Sequence, residues 1–82
     1  MTSSEIFQII VANIEEIVPG SSKEPIDRRA MLSPLGLDSI GRAELIERVI
    51  EKLQLTISRF EFHSATNLGE LSDMFAQKST DK

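Results

Sequence analysis

The chain has 82 residues, enough for one small domain with a modest core, and we predict a single domain over residues 1–82. It contains no cysteine, so disulfides and thiolate metal sites are excluded and a reducing, cytoplasmic setting is expected. The net charge of −4 and the absence of Trp and Tyr argue against nucleic acid as a partner and favour basic proteins instead. No apolar run approaches the roughly 20 residues that span a bilayer, so no membrane segment is expected.

The first helix is predicted from its start signal and its apolar spacing. Thr2 and Glu5 have the spacing of a capping box, in which Thr2 is the N-cap residue and the Glu5 side chain bonds back to it. Pro19-Gly20 ends the helix. The apolar residues between these signals recur at helical spacing and form the expected core face: Ile6, Phe7, Ile10, Ile14, Ile17 and Val18.

A long connection, residues 19–37, follows this helix. Its two prolines keep a helix from running through it, and a loop of this length in a small domain is usually functional or held by its own contacts. The expected anchors are its apolar residues Ile26, Met31, Leu32 and Leu35. The Arg28-Arg29 pair is expected to be solvated surface.

A second helix is predicted from Ser39 to about Leu53. Its expected core residues are Ala43, Ile46, Val49, Ile50 and Leu53. Glu44, Glu47 and Glu51 fall on another face, and Glu44 can pair with Arg48 at i, i+4. Ile40 lies among these glutamates, outside the core stripe. It is either a single exposed apolar residue without a role or an apolar contact anchor ringed by polar groups.

Two shorter segments complete the chain. Ser58 and Glu61 repeat the capping-box spacing and predict a short third helix, with Phe60 or Phe62 in the core. His63, the single histidine, is expected at the surface without a catalytic role.

The last helix has its own start signal. Asn67 and Glu70 cap it, and its core residues are expected to be Leu68, Leu71 and Phe75. The polar tail from Gln77 is expected to fray.

The most informative stretch is Leu37-Asp38-Ser39-Ile40. Asp38 is a preferred N-cap residue, which places Ser39 on the first turn of the second helix with its hydroxyl pointing outward. The unpaired backbone N–H groups and the positive dipole end of a helix N-terminus favour a phosphate ester there. Ser39 is therefore a suitable attachment point for a phosphorylated prosthetic group.

Together with Glu44-Leu45 downstream, this stretch resembles the acyl carrier proteins, whose signature is Asp-Ser-Leu or Asp-Ser-Ile at the start of a helix. The resemblance covers nearly the whole chain. It implies an all-α fold, a small four-helix bundle with a long loop between helices one and two and a short third helix. It also implies that Ser39 carries 4′-phosphopantetheine, derived from coenzyme A, with Asp38 as the N-cap beside it. The carrier itself would perform no chemistry.

The resemblance further implies how partners are recognised. In this family the acidic second helix is read by basic patches on partner enzymes, so Ile40, Glu44, Glu47 and Glu51 are the expected partner-binding residues. The expected partners are a phosphopantetheinyl transferase and acyltransferases, ketosynthases or related acyl-processing enzymes. The carrier would deliver acyl thioesters to enzymes of polyketide or fatty-acid biosynthesis, and both pathways stay open. Gly41 and Glu47 depart from the pattern of many fatty-acid carriers, which favours a polyketide-type carrier. We expect a free-standing monomer because the chain starts at Met1 and ends in a polar tail at Lys82.

Three alternative functions fit the sequence less well. A nucleophilic serine enzyme is disfavoured because the nucleophile elbow needs Gly two residues before the serine, where Leu37 stands, and because the chain has one histidine. A peptidyl carrier would have the same fold, but such domains usually carry a double glycine shortly before the serine. An unmodified acidic helical interaction module would leave Asp38-Ser39 without a purpose.

Overall fold

The computed structural model describes residues 1–21, 23 and 25–80. Three α-helices form the body of the fold: α1 (Ser3–Ile17), α2 (Ser39–Lys52) and α3 (Leu68–Thr80). Two 3₁₀ turns lie between them, the first at Ser33–Leu35 and the second at Arg59–Phe62. The all-α class is confirmed, and the described residues contain no strand. Lys82, which entered the expectation of a free-standing chain, lies outside the described residues.

The four-helix count is not confirmed, because a 3₁₀ turn stands where the short third helix was predicted. Its hydrogen bonds run from i+3 to i, such as the bond from the Glu61 N–H to the Ser58 carbonyl at 3.1 Å. The Ser58 side chain caps it by accepting from the Phe60 N–H at 3.2 Å. Glu61 does not complete a capping box; it accepts from Lys78 of α3 at 2.7 Å. With only four residues before the chain turns at His63, an α-helical ladder has no room to extend.

The core lies where α1 packs against both α2 and α3. Phe62 enters it from the second 3₁₀ turn and stacks on Phe75 with the ring centroids 4.1 Å apart. Phe60 instead stays 67% exposed. The core residues predicted for α3 are confirmed. Helix α1 buries four of its predicted core residues, Ile6, Phe7, Ile10 and Ile14.

The core face of α2 differs from the predicted stripe. Leu45 is fully buried although it was not predicted, whereas Ala43 and Leu53 are only half-buried. The buried arc is wider than one helical stripe because α2 packs against α1 on one side and against the second 3₁₀ turn on another.

The long loop is held by apolar anchors and by α3. Leu32 and Leu37 are buried, while Met31, a predicted anchor, is 54% exposed. The carbonyl of Arg28 accepts from the Gly69 N–H at 2.7 Å, so the loop satisfies a donor in the first turn of α3. A Cβ at Gly69 would lie 3.1 Å from that carbonyl oxygen, which explains the glycine at this close approach.

Arg28 is exposed, as expected, but its side chain also makes contacts within the fold. Its guanidinium lies 2.9 Å from the Asp73 carboxylate of α3 and 5.9 Å from the ring centroid of Phe7 in α1. Ser3 also donates to Asp73, and this bond, with the smaller contribution of Arg28, lowers the pKa of that carboxyl from its ordinary value. The loop therefore joins the two helices at this end of the molecule.

The helices α1 and α3 begin at the predicted capping residues, but the glutamate at the start of α3 bonds to a different partner. The capping box of α1 is confirmed, and the backbone N–H of Thr2 lowers the pKa of Glu5 by donating to its carboxylate. At α3, Asn67 accepts from the Glu70 N–H at 2.8 Å. Glu70 reaches back to the Thr66 N–H instead of completing the box with Asn67, which lowers the pKa of Glu70.

The end of α3 differs from the prediction of a frayed tail. The helix continues through Gln77 to Thr80, and Lys78 is tied to Glu61 by the ion pair described above. None of the helices in the described ranges is long and apolar enough to cross a membrane.

Candidate functional site

The site is built around the first turn of α2. Asp38 is the N-cap residue, and its Oδ1 accepts from the Gly41 N–H at 2.7 Å. Just before it, Gly36 adopts a left-handed φ of 92°, and Leu37 is buried in the core. Ser39 is the first helical residue and is exposed. The chain thus fixes the backbone on both sides of Ser39 and leaves its hydroxyl in solvent.

Two surface depressions meet at Ser39. One, of about 370 Å³, is lined by the end of the long loop, by Asp38 and by the segment that joins the second 3₁₀ turn to α3. The other, of about 140 Å³, lies between α2 and the second 3₁₀ turn. A group esterified to Ser39 can leave the protein along either side without displacing a buried side chain, so the surroundings of the hydroxyl fit a long phosphorylated chain.

Arg42 ties the second 3₁₀ turn to this site. Its guanidinium donates to three backbone carbonyls, those of Phe62 at 3.1 Å, His63 at 3.2 Å and Ala65 at 2.9 Å. These carbonyls lie at the end of the 3₁₀ turn and just after it, where a cation is favoured, and that of Phe62 also accepts from the Ala65 N–H at 3.2 Å. Sequence reasoning missed this role. The available signal was a charged residue on the buried face of α2, at about 100° per residue.

His63 lies at the junction of both depressions. Its Nδ1 is 2.8 Å from the carbonyl oxygen of Phe60. The prediction that it lies at the surface is confirmed, since it is exposed. Its position beside Ser39, however, depends on the fold, because 24 positions separate the two along the chain.

Apolar side chains surround the serine. Ile40 is 79% exposed, as expected from its position among the glutamates. Met31 lines one depression and Phe60 the other, and both are more than half exposed. From the sequence, only Ile40 was predicted as a contact residue, because Met31 and Phe60 come from distant segments and were expected as a loop anchor and a possible core residue. Exposed apolar groups gathered around an exposed serine are typical of a contact surface.

The three glutamates are exposed but do not share one environment. Glu44 pairs with Arg48 at 3.4 Å, as predicted, and Glu47 lies 4.0 Å from Arg59 of the second 3₁₀ turn. Glu51 borders a groove between α1 and α2. The acidic face therefore extends from the α1 side of α2 to the 3₁₀ side, and Arg48 and Arg59 partly neutralise it.

Comparisons with known proteins bear directly on this site. The family described as a phosphopantetheine attachment site matches residues 8–75. The polyketide biosynthesis acyl-carrier-protein AcpK of Bacillus subtilis (strain 168) is 36% identical over 78 residues, which is 95% of each chain. This chain belongs to the acyl carrier protein family.

A solved structure agrees with this assignment. The chain resembles a chain in the crystal structure of the curacin biosynthetic pathway HMG synthase in complex with acetyl donor-ACP. The TM-score is 0.91 at 41% identity, over 95% of this chain and 100% of the other. Both matches favour the acyl carrier over a peptidyl carrier or an unmodified interaction module.

As an acyl carrier, the protein is not itself an enzyme. The family carries covalently attached 4′-phosphopantetheine, whose thiol holds acyl groups as thioesters for partner enzymes. The contribution of the protein is to present that thiol on a folded scaffold.

Proposed function

We propose that Ser39 is the residue that carries the phosphopantetheine and that Asp38 positions it. The observation that carries this proposal is the exposed hydroxyl of Ser39 on the first turn of a capped helix, at the junction of two open depressions. In the loading reaction, Ser39 Oγ forms a bond to the phosphorus next to the pantetheine of coenzyme A. The hydroxyl proton passes to the transferase, and adenosine 3′,5′-bisphosphate leaves.

The test is an intact mass after incubation with coenzyme A and a broad-specificity phosphopantetheinyl transferase. Wild type should gain one phosphopantetheine, and Ser39→Ala none. Ser33→Ala is the matched control, since Ser33 is an exposed serine that lines one of the same depressions. Modification of Ser39→Ala to the same extent as wild type would refute the assignment.

We further propose that Ile40 with Glu44, Glu47 and Glu51 forms the surface that partner enzymes recognise. Support comes from the exposure of all four side chains on one helix beside Ser39. Glutamates attract a basic patch at long range, and the apolar Ile40 supplies contact area once the partner is close. A phosphopantetheinyl transferase and acyl-processing enzymes with basic docking patches are the partners that this surface suits.

The reaction we propose is acetyl delivery in a polyketide pathway. The structurally similar chain is part of a complex between an HMG synthase and an acetyl donor-ACP, and the similarity covers nearly all of both chains. By this reasoning, the present carrier presents an acetyl thioester to an enzyme of HMG-synthase type, as a cytoplasmic monomer. The departures at Gly41 and Glu47 from many fatty-acid carriers agree with a specialised pathway.

This reaction can be tested with purified components. When the acetyl-loaded carrier is mixed with an HMG synthase of a polyketide pathway, the enzyme should become acetylated and the carrier should lose its acetyl group. Mass spectrometry of both proteins monitors the transfer. The carrier of a fatty-acid pathway, loaded in the same way, is the comparison. Equal acetyl transfer from both carriers would contradict a dedicated acetyl donor.

A further inference from the structure

The two depressions beside Ser39 are lined by more basic than acidic side chains, although the chain as a whole carries a net charge of −4. The charged and titratable residues that line the two depressions are Asp38, Arg42, Arg59 and His63. They come from α2, its N-cap and the second 3₁₀ turn with the residue after it. Asp38 is the acid among them, and its Oδ1 is occupied by the Gly41 N–H. A negatively charged group on Ser39 therefore meets a locally positive rim.

Both arginines of this rim already have partners. Arg42 donates to three carbonyls, and Arg59 stacks over the Phe60 ring at 4.6 Å and lies 4.0 Å from Glu47. Turning either side chain toward Ser39 would break these contacts. Glu61 is the acidic residue nearest to His63 along the chain, and it is paired with Lys78.

His63 is different, because one of its ring nitrogens is held and the other is not. The carbonyl oxygen of Phe60 can only accept, so Nδ1, 2.8 Å away, carries the proton of the neutral ring. Nε2 has no hydrogen-bond partner among the described residues. Protonation of the ring therefore occurs at Nε2 and turns that nitrogen into a charged donor.

We propose that His63 is an anion-binding residue whose protonated Nε2 contacts the phosphodiester on Ser39. The proposal rests on the attachment at Ser39 proposed above. A phosphodiester keeps its single negative charge throughout the neutral range, so the imidazole alone decides the strength of the contact. Acidification would hold the attached arm toward the second 3₁₀ turn, and a rise in pH would release it.

The single histidine makes the test direct, because its ring resonances need no assignment against others. The pKa of His63 is measured by NMR in the unmodified protein and in the phosphopantetheine-loaded protein. We expect loading to raise it by about half a unit, the size expected for opposite unit charges a few ångströms apart in water. An identical pKa in both forms would overturn the proposal.

The phosphorus resonance of the loaded protein gives an independent readout. In wild type it should move with pH in step with the His63 titration, since the phosphodiester itself does not titrate there. In loaded His63→Gln it should stay constant across the same range. A pH-dependent phosphorus shift that survives in His63→Gln would contradict the contact.

Mass spectrometry separates the two ways of failing. A wild-type protein that gains the mass but shows no shift of the His63 pKa overturns this inference and leaves the attachment intact. A wild-type protein that gains no mass overturns the attachment, and the inference with it. Ser39→Ala, treated in the same way, should show no change in the His63 pKa, and a shift there would assign the effect to another cause.

Discussion

Ile40 and Ile50 are the same residue type on one helix, but one is 79% exposed and the other 9%. Ile50→Ala should lower the free energy of unfolding by about 2–5 kcal/mol, because it removes buried methyl groups and leaves a cavity. Ile40→Ala should cost less than about 1 kcal/mol, as exposed substitutions usually do. Thermal or urea unfolding of the two variants, each beside wild type, measures the difference.

The functional order of the same two variants should be the reverse. Ile40→Ala removes the apolar contact beside Ser39 and should slow acetyl transfer to a cognate enzyme, whereas a folded Ile50→Ala keeps that surface. Two outcomes would contradict a contact role for Ile40. One is that Ile40→Ala loses as much unfolding free energy as a core variant, and the other is that it matches wild type in both stability and acetyl transfer.

At the scale of elements, Arg42 joins α2 to the second 3₁₀ turn. Arg42→Gln should lower the free energy of unfolding by roughly 1.5–3 kcal/mol. The variant loses the hydrogen bonds that the charged guanidinium donates to the carbonyls at the end of the turn. Urea unfolding measures the loss.

Arg48→Gln is the matched control for this prediction. Arg48 lies on the same helix, but it makes ion pairs at 3.4 and 3.8 Å with side chains that are about half exposed or more. Such pairs contribute little, so this variant should stay within about 1 kcal/mol of wild type. Equal losses of unfolding free energy in the two variants would show that the three carbonyl contacts of Arg42 stabilise the fold no more than exposed ion pairs do.

For the whole molecule, charge should govern the rate at which partners are found. Replacing Glu44 or Glu51 by Gln should slow acetyl transfer about two- to fivefold at low salt, since a pair of unit charges at contact is worth about 1 kcal/mol in water. The difference should shrink as salt rises, because exposed charges are screened within about 10 Å at 0.1 M. Transfer rates measured against salt concentration test this.

The control for net charge is Gln77→Lys on α3, away from the proposed surface, which changes the net charge by the same single unit as each glutamate variant. It should leave the transfer rate near that of wild type. A slowing equal to that of the glutamate variants would mean that overall charge, and not the face of α2, steers association.

The stability of the whole molecule should also fall in acid. The pKa values of Glu5, Glu70 and Asp73 are lowered in the folded protein, chiefly by hydrogen bonds from Thr2, Thr66 and Ser3 in turn. A lowered carboxyl pKa contributes stability above the unfolded value, near 4.5 for Glu and 3.8 for Asp, and this is lost as pH falls through the folded value. Unfolding free energy measured between pH 6 and pH 3 should therefore decrease.

Asp73→Asn isolates one of these groups. The variant should show a weaker decrease with acid than wild type, since its side chain at this position no longer titrates. An unchanged slope would mean that the link between α1, the long loop and α3 does not respond to the charge of Asp73.

The sequence by itself determined the three α-helices, their N-cap residues and the candidate serine. These are local properties: a capping residue bonds to a neighbour three positions away, and the apolar spacing of one helix identifies most of its buried face. Thr2, Asp38 and Asn67 are therefore found where the sequence places them. The start of α2 at Ser39 and the exposure of Ile40 follow from the same local rules.

Only the tertiary structure decided which distant groups surround Ser39 and how wide the core face of α2 is. The roles of Arg28, Arg42 and His63 depend on backbone carbonyls and side chains far away along the chain, which no local spacing encodes. The predicted short third helix is a 3₁₀ turn, and its Glu61 pairs with Lys78 of α3 instead of with its own cap. Leu45 is buried because α2 packs against more than one neighbour, a property of the assembled helices and not of the helix alone.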